Sequence, residues 1–145
     1  MDEEVDFKRL ALVNRAYIGG IWHRMKENDE DFSDEEELIA EQMLAHPEYR
    51  EVWENIDELG DRYFDPAQEE NPFLHITLHV TLERQLRSGD PPCVQETMER
   101  LRERGVDPHE AQHAILRVLV QEMWEVMTQK RSFDVQRYSE ELKKL

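Results

Sequence analysis

Thiol chemistry is nearly absent from this chain: Cys93 is its one cysteine, which excludes an intrachain disulfide and limits thiolate metal ligation to a single sulfur. A lone thiol suits a reducing cytoplasm, the expected compartment. No apolar run approaches the length of a signal-peptide core or a membrane span, and the opening Met-Asp-Glu-Glu is acidic where a targeting segment is basic. Basic residues are scarce: 18 Lys and Arg face 34 Asp and Glu, and the resulting charge of −16 repels phosphate backbones and anionic lipid headgroups alike. The expected partners therefore include neither nucleic acid nor a membrane surface; a homo-oligomer and a small-molecule substrate of unknown identity stay open. There is no glycine-rich phosphate loop and no G-x-S-x-G elbow. No segment alternates polar and apolar residues with a period of two, so strands drop out, and no repeat of solenoid length is visible.

What remains is helical signal in a chain of 145 residues, 39% hydrophobic and 36% charged, long enough for one core without staples. The expected fold is an all-α bundle of about six helices in a single domain over residues 1–145, with residues 1–20 the least determined part. From Asp2 onward Leu10, Val13 and Tyr17 recur at helical spacing, and Gly19-Gly20 is expected to break or bend that helix before Ile21, Trp22 and Met25. Ser33 and Glu36 form a capping box that opens a second helix, carrying Leu38, Ile39 and Met43 inward and ending near Ala45 before Pro47. A short helix from Glu48 to about Leu59 follows, with Gly60 as its cap. Asn71-Pro72 starts a helix that Ser88-Gly89 closes, and Asp90-Pro91 is expected to cap one reaching Arg104, stopped by Gly105 and Val106 in a Schellman-type turn. Asp107-Pro108, with Glu110 completing a second capping box, opens a helix to about Lys130; a last helix places Val135, Tyr138, Leu142 and Leu145 on one stripe. Trp22, Trp53 and Trp124 are expected in the core.

Four of the six histidines fall in two pairs, His75-x-x-x-His79 and His109-x-x-x-His113, where chance placement gives roughly 0.2 such pairs. Residues four apart share one helix face, so each pair can aim two imidazoles at one point. The two helices bearing them are separated by one intervening helix on short connections, which makes them parallel and brings both pairs, early in their helices, to one end of the bundle. Leu82 and Leu86 continue the first face, and Leu116, Val120 and Met123 the second, so both pairs point toward the core. A transition-metal site is the expectation, mononuclear or dinuclear: zinc or iron first, with manganese and nickel also within the chemistry of imidazole and carboxylate ligands. His46 shares a face with Ile39 and Met43 at the end of its helix and, with Glu41, is the best candidate for an additional ligand; Glu83 and His23 read as surface. The competing expectation is a metal-free interaction protein whose histidines are core residues or tune a pH-sensitive interface.

His109-Glu110-Ala111-Gln112-His113 also matches the H-E-x-x-H pattern of zinc peptidases, in which the Glu is the general base. Here Glu110 has a capping explanation, and no sheet edge is expected to hold a substrate strand. Whether the chain is an enzyme is therefore open.

At Ala45-His46-Pro47-Glu48-Tyr49, at Asn71-Pro72-Phe73-Leu74-His75 with Leu78-His79, and at Asp107-Pro108-His109-Glu110-Ala111 with His113 and Trp124-Glu125, the chain resembles a bacterial family of uncharacterised function. The resemblance covers Trp22 to the C-terminus and leaves the first twenty residues unmatched. It implies a small cytoplasmic helical protein with a shared site at His46, His75, His79, His109 and His113 and an acidic residue at Glu41, and it brings no activity with it.

Overall fold

The computed structural model describes residues 7–65 and 68–145. Every regular element among the described residues is helical. Among the described residues eight helices stand where about six were expected: α1 (Phe7–Lys26), α2 (Asp34–Ala45), α3 (Arg50–Glu54), α4 (Ile56–Leu59), α5 (Pro72–Ser88), α6 (Pro92–Glu103), α7 (Pro108–Gln129) and α8 (Val135–Leu142). Among the described residues no helix is long and apolar enough to cross a membrane. The backbone packs as two compact units, one reaching to Thr77 and one beginning at Leu78, with α5 contributing to both.

In the first unit α1 runs unbroken through Gly19 and Gly20, contrary to expectation. A Cβ at Gly19 would lie 3.2 Å from Ile56 Cδ1, so the glycine is there for close approach of α4 and not for a bend. Gly20 has no such neighbour: a Cβ there meets nothing within 4 Å. Gly20→Ala is therefore expected to stabilise the chain by about 0.5–1 kcal/mol, the usual difference between the two residues in a helix interior. Gly19→Ala, crowding Ile56, is expected to fall below it in urea midpoint.

The expected helix start at Asp2 and the side chains of Leu10 and Val13 lie outside what is described. Tyr17, expected inward, is exposed, and the buried positions of this stretch are Ile18, Ile21 and Trp22. They belong to a core that also holds Leu38, Ile39, Met43, Trp53, Phe64, Phe73 and Ile76. The capping box of α2 is present in both directions: the Glu36 amide donates to Ser33 Oγ and the Ser33 amide to Glu36 Oε1. Arg24 at the end of α1 also pairs with Glu36 and with Asp29, which ties α1 to the start of α2. The single helix expected over Glu48–Leu59 divides instead into a 3-10 turn (Pro47–Tyr49), α3 and α4. The break falls at Asn55, which leaves helical geometry at φ −111° and ψ 27° while its amide and its Nδ2 both donate to the Glu51 carbonyl.

In the second unit Leu78, Leu82, Val94, Leu101, Ala111, Ile115, Leu116, Leu119, Tyr138 and Leu142 form one buried cluster. The α6 stop is as expected: Gly105 takes φ +79° and the Val106 amide donates to the Leu101 carbonyl at 3.0 Å. Its start is not. The N-cap is Pro91 rather than Asp90, with φ −76° and ψ 148°, because Pro92 excludes the residue before it from helical geometry. Two expected core residues face solvent, Trp124 at 59% exposure and Val135 at 50%. Leu116 on α7 and Tyr138 and Leu142 on α8 are buried as expected, and Leu119 joins them.

Candidate metal centre

His79 and the second histidine pair meet in the unit that begins at Leu78. α5 starts as its sequence dictates, with Asn71 Oδ1 accepting from the amides of Phe73 and Leu74 and Pro72 at the first helical position. That start sets the register in which His79 is buried, at 1% exposure, beside Leu78 and Leu82. α7 starts on Asp107, whose carboxylate accepts from the His109 and Glu110 amides. His109 is thereby fixed in the first turn, exposed, with the partly buried His113 one turn on.

The rings of His109 and His113 are 4.2 Å apart between centroids, and His79 lies 5.5 Å from His109 and 5.2 Å from His113. One ring nitrogen from each comes within 4.8 Å of those of the other two. A tetrahedral ion at about 2.0–2.1 Å from imidazole nitrogens spaces them about 3.3 Å apart, so modest side-chain rotation brings this trio to ligating distance. One turn beyond His79, Glu83 Oε1 accepts from Gln112 Nε2 at 3.4 Å.

The other expected ligands lie in the unit that ends at Thr77. His46 is fully buried, and its Nδ1–H donates to the Gln42 carbonyl at 2.7 Å. Because a carbonyl only accepts, that bond fixes the tautomer and leaves the lone pair on Nε2, the arrangement a histidine ligand needs. The half-buried His75 presents an edge to His46 at 4.9 Å and to Tyr49 at 5.7 Å. Tyr49 stacks on His46 at 5.8 Å and donates its hydroxyl to Glu70 Oε2 at 2.6 Å. Burial first, and then the Glu70 carboxylate, push the Tyr49 phenol above its ordinary range. Tyr49 and Glu70 were not singled out in the sequence; the His46-Pro47-Glu48-Tyr49 segment was the available signal for the first of them. Glu41 is exposed on α2.

Two smaller expectations change. Glu110 does not complete a capping box: among the described residues its carboxylate makes no hydrogen bond, and Asp107 caps α7 alone. His23, read as an unpartnered surface residue, pairs with Asp57 at 3.1 Å.

No curated protein and no solved structure matches this chain. A family model does match, from residue 13 to residue 144, starting ahead of Trp22 where the motif resemblance begins. With nearly the whole chain covered, the protein belongs to the family described as a domain of unknown function, DUF1841.

Proposed function

We propose that this protein binds a first-row transition-metal ion, zinc or iron first, through His79, His109 and His113. The observation that carries the reading is the convergence of three imidazoles, with a ring nitrogen of each within 4.8 Å of the others. Their chemistry fits: neutral imidazole is a ligand for zinc, iron and nickel, and three protein nitrogens leave one tetrahedral position for water or substrate. The partial positive charge of the α7 N-terminus opposes the ion by only about 0.3–1 kcal/mol. Structural zinc sites are worth about 10–16 kcal/mol near neutral pH, so ligand geometry decides. His46, His75 and Glu41 enter the proposal on the sequence argument, as further ligands of a closed or dinuclear site. An open position would support hydrolytic or oxygen-handling chemistry; a closed shell of imidazoles would make the ion structural.

The test is plasma mass spectrometry on tag-free protein purified without chelator, together with the His79→Ala, His113→Ala double variant. Near-stoichiometric metal that the double variant lacks is the expected result. Protein that stays metal-free after reconstitution would overturn the reading and leave the interaction-protein alternative. His46→Ala, His75→Ala and Glu41→Ala, measured the same way, decide which of these three are ligands.

A further inference from the structure

The unit that ends at Thr77 contains a cleft of about 430 Å³ that the metal reading does not use. One wall is α1, through Arg15, Ala16, Gly19, Gly20 and His23; the other is α4 with Ile56, Asp57 and Leu59, and Phe73 also lines it. Its volume lies within the range of small-molecule sites, about 300–1,000 Å³. A Cβ at Gly20 would meet nothing within 4 Å, so the wall there is bare backbone facing open space.

Arg15 is the chemically distinctive group in this wall. Its guanidinium carbon lies 5.1 Å from the centre of the Phe64 ring and 5.2 Å from that of Phe73, so two aromatic faces hold it in place. It donates to the Gly60 carbonyl at 3.4 Å, one use of a group with five N–H donors. Asp61 is the carboxylate whose charge reaches it, but among the described residues none pairs with it at ion-pair distance, although the chain carries 34 acidic residues against 18 basic ones. Arg24, Arg62, Arg131 and Arg137 are each paired with a Glu or Asp, whereas Arg100 and Arg104, like Arg15, donate to backbone carbonyls; what sets Arg15 apart is its place between two aromatic rings in the wall of a cleft. Burial pulls the Arg15 guanidinium below its ordinary value, a sign of incomplete hydration, and it remains a cation at neutral pH. A fixed, partly desolvated guanidinium beside an apolar cleft is matched by a planar anion that takes two parallel N–H bonds and brings an apolar body with it.

We propose that this cleft binds a small organic monocarboxylate, with its carboxylate on Arg15 and its apolar body against Gly20, Ile56 and Phe73. Asp57 in the opposite wall, paired there with His23, and the Asp61 carboxylate whose charge reaches Arg15 repel a dianion such as phosphate about twice as strongly as a single charge, so the planar fork of a monocarboxylate is preferred.

The experiment is a titration of the full chain with benzoate, followed by calorimetry and amide chemical shifts, against a chloride control of equal ionic strength. Saturable binding is expected, with shifts at Arg15, Gly19, Gly20 and Ile56. Arg15→Lys, which keeps the charge and loses the fork, is expected to weaken binding about tenfold or more. Gly20→Leu, growing from the cleft wall into open space, is expected to abolish binding while the chain stays folded, and it tests the site even if the Arg15 variant does not fold. The neutral isostere benzamide and inorganic phosphate are expected to bind more weakly. The inference does not rest on the metal reading, so His109→Ala is expected to bind benzoate as the wild type does. No saturation at tens of millimolar benzoate, equal binding of benzamide or phosphate, indifference to both cleft variants, or loss with His109→Ala would each overturn it.

Discussion

Zinc at one hundred times its dissociation constant is expected to raise the unfolding temperature of the wild-type chain by roughly 5–10 °C and that of His109→Ala by almost nothing. The size follows from mass action. A ligand that binds only the folded state at that excess contributes about 2.7 kcal/mol, and each kcal/mol moves the midpoint by about 2–4 °C in a chain of this length. His109 is the informative position because its side chain is exposed, whereas His79 is 1% exposed in the core. Truncating an exposed residue changes stability by about 0.5 kcal/mol or less when nothing depends on it. The metal-free forms of wild type and His109→Ala should therefore unfold together and separate only when zinc is added. Truncating His79 removes packing as well, so His79→Ala is expected to lower the midpoint in both forms. Calorimetric scans with and without metal check all of this. Separation already in the metal-free state would mean that His109 contributes to stability itself and that the trio is a packing feature.

The parts of this arrangement legible in the sequence are those set within one or two helical turns. Ser33 with Glu36, Asn71 with Pro72, and Gly105 with Val106 are local contacts, and the structure has each of them. The meeting of His79 with His109 and His113 was legible for a related reason: i,i+4 spacing fixes a face, and a single intervening helix on short connections returns the chain to its first direction. What could not be read was set by neighbours distant in sequence. Gly19 looked like a breaker because its reason, Ile56, is 37 positions away along the chain. His75 and His79 looked like one chelating pair, yet the ring of His75 lies against His46 and Tyr49 while that of His79 lies against His109 and His113. Trp124 was assigned to the core by residue type alone, and on α7 the buried face belongs to Ile115, Leu116 and Leu119. The ion pairs of Glu122 carry no local motif, and nothing in its sequence neighbourhood distinguishes it from a solvated glutamate.

Glu122→Gln is expected to lower stability by about 2–3 kcal/mol at neutral pH and to flatten its dependence on acid. Glu122 is only 4% exposed on α7, and its carboxylate accepts from Arg131 and from the Asp134 amide, the residue that caps α8. Arg131 also pairs with Glu125, which in turn pairs with Arg137, so one buried carboxylate anchors the turn that joins α7 to α8. Breaking a fully buried ion pair costs about 3–5 kcal/mol, and the loss here falls to the bottom of that range or just below it because Arg131 keeps some hydration and retains Glu125. The hydrogen bond from Arg131 is the main cause that holds the Glu122 carboxyl below its ordinary value; the Asp134 amide adds to it and burial opposes it. A depressed folded-state value means that the unfolded chain takes up the proton first. The pair's contribution is therefore complete above the unfolded value of about 4.3 and is lost as the pH falls through the lower folded value. Urea midpoints measured from pH 7 down to pH 3 should show the wild type losing stability faster than Glu122→Gln, with the two curves converging at the acid end. Parallel curves would mean that Glu122 acts by shape and hydrogen bonding alone. Convergence would locate in this carboxylate a defined share of the acid sensitivity that a chain with 34 acidic residues distributes over its whole surface.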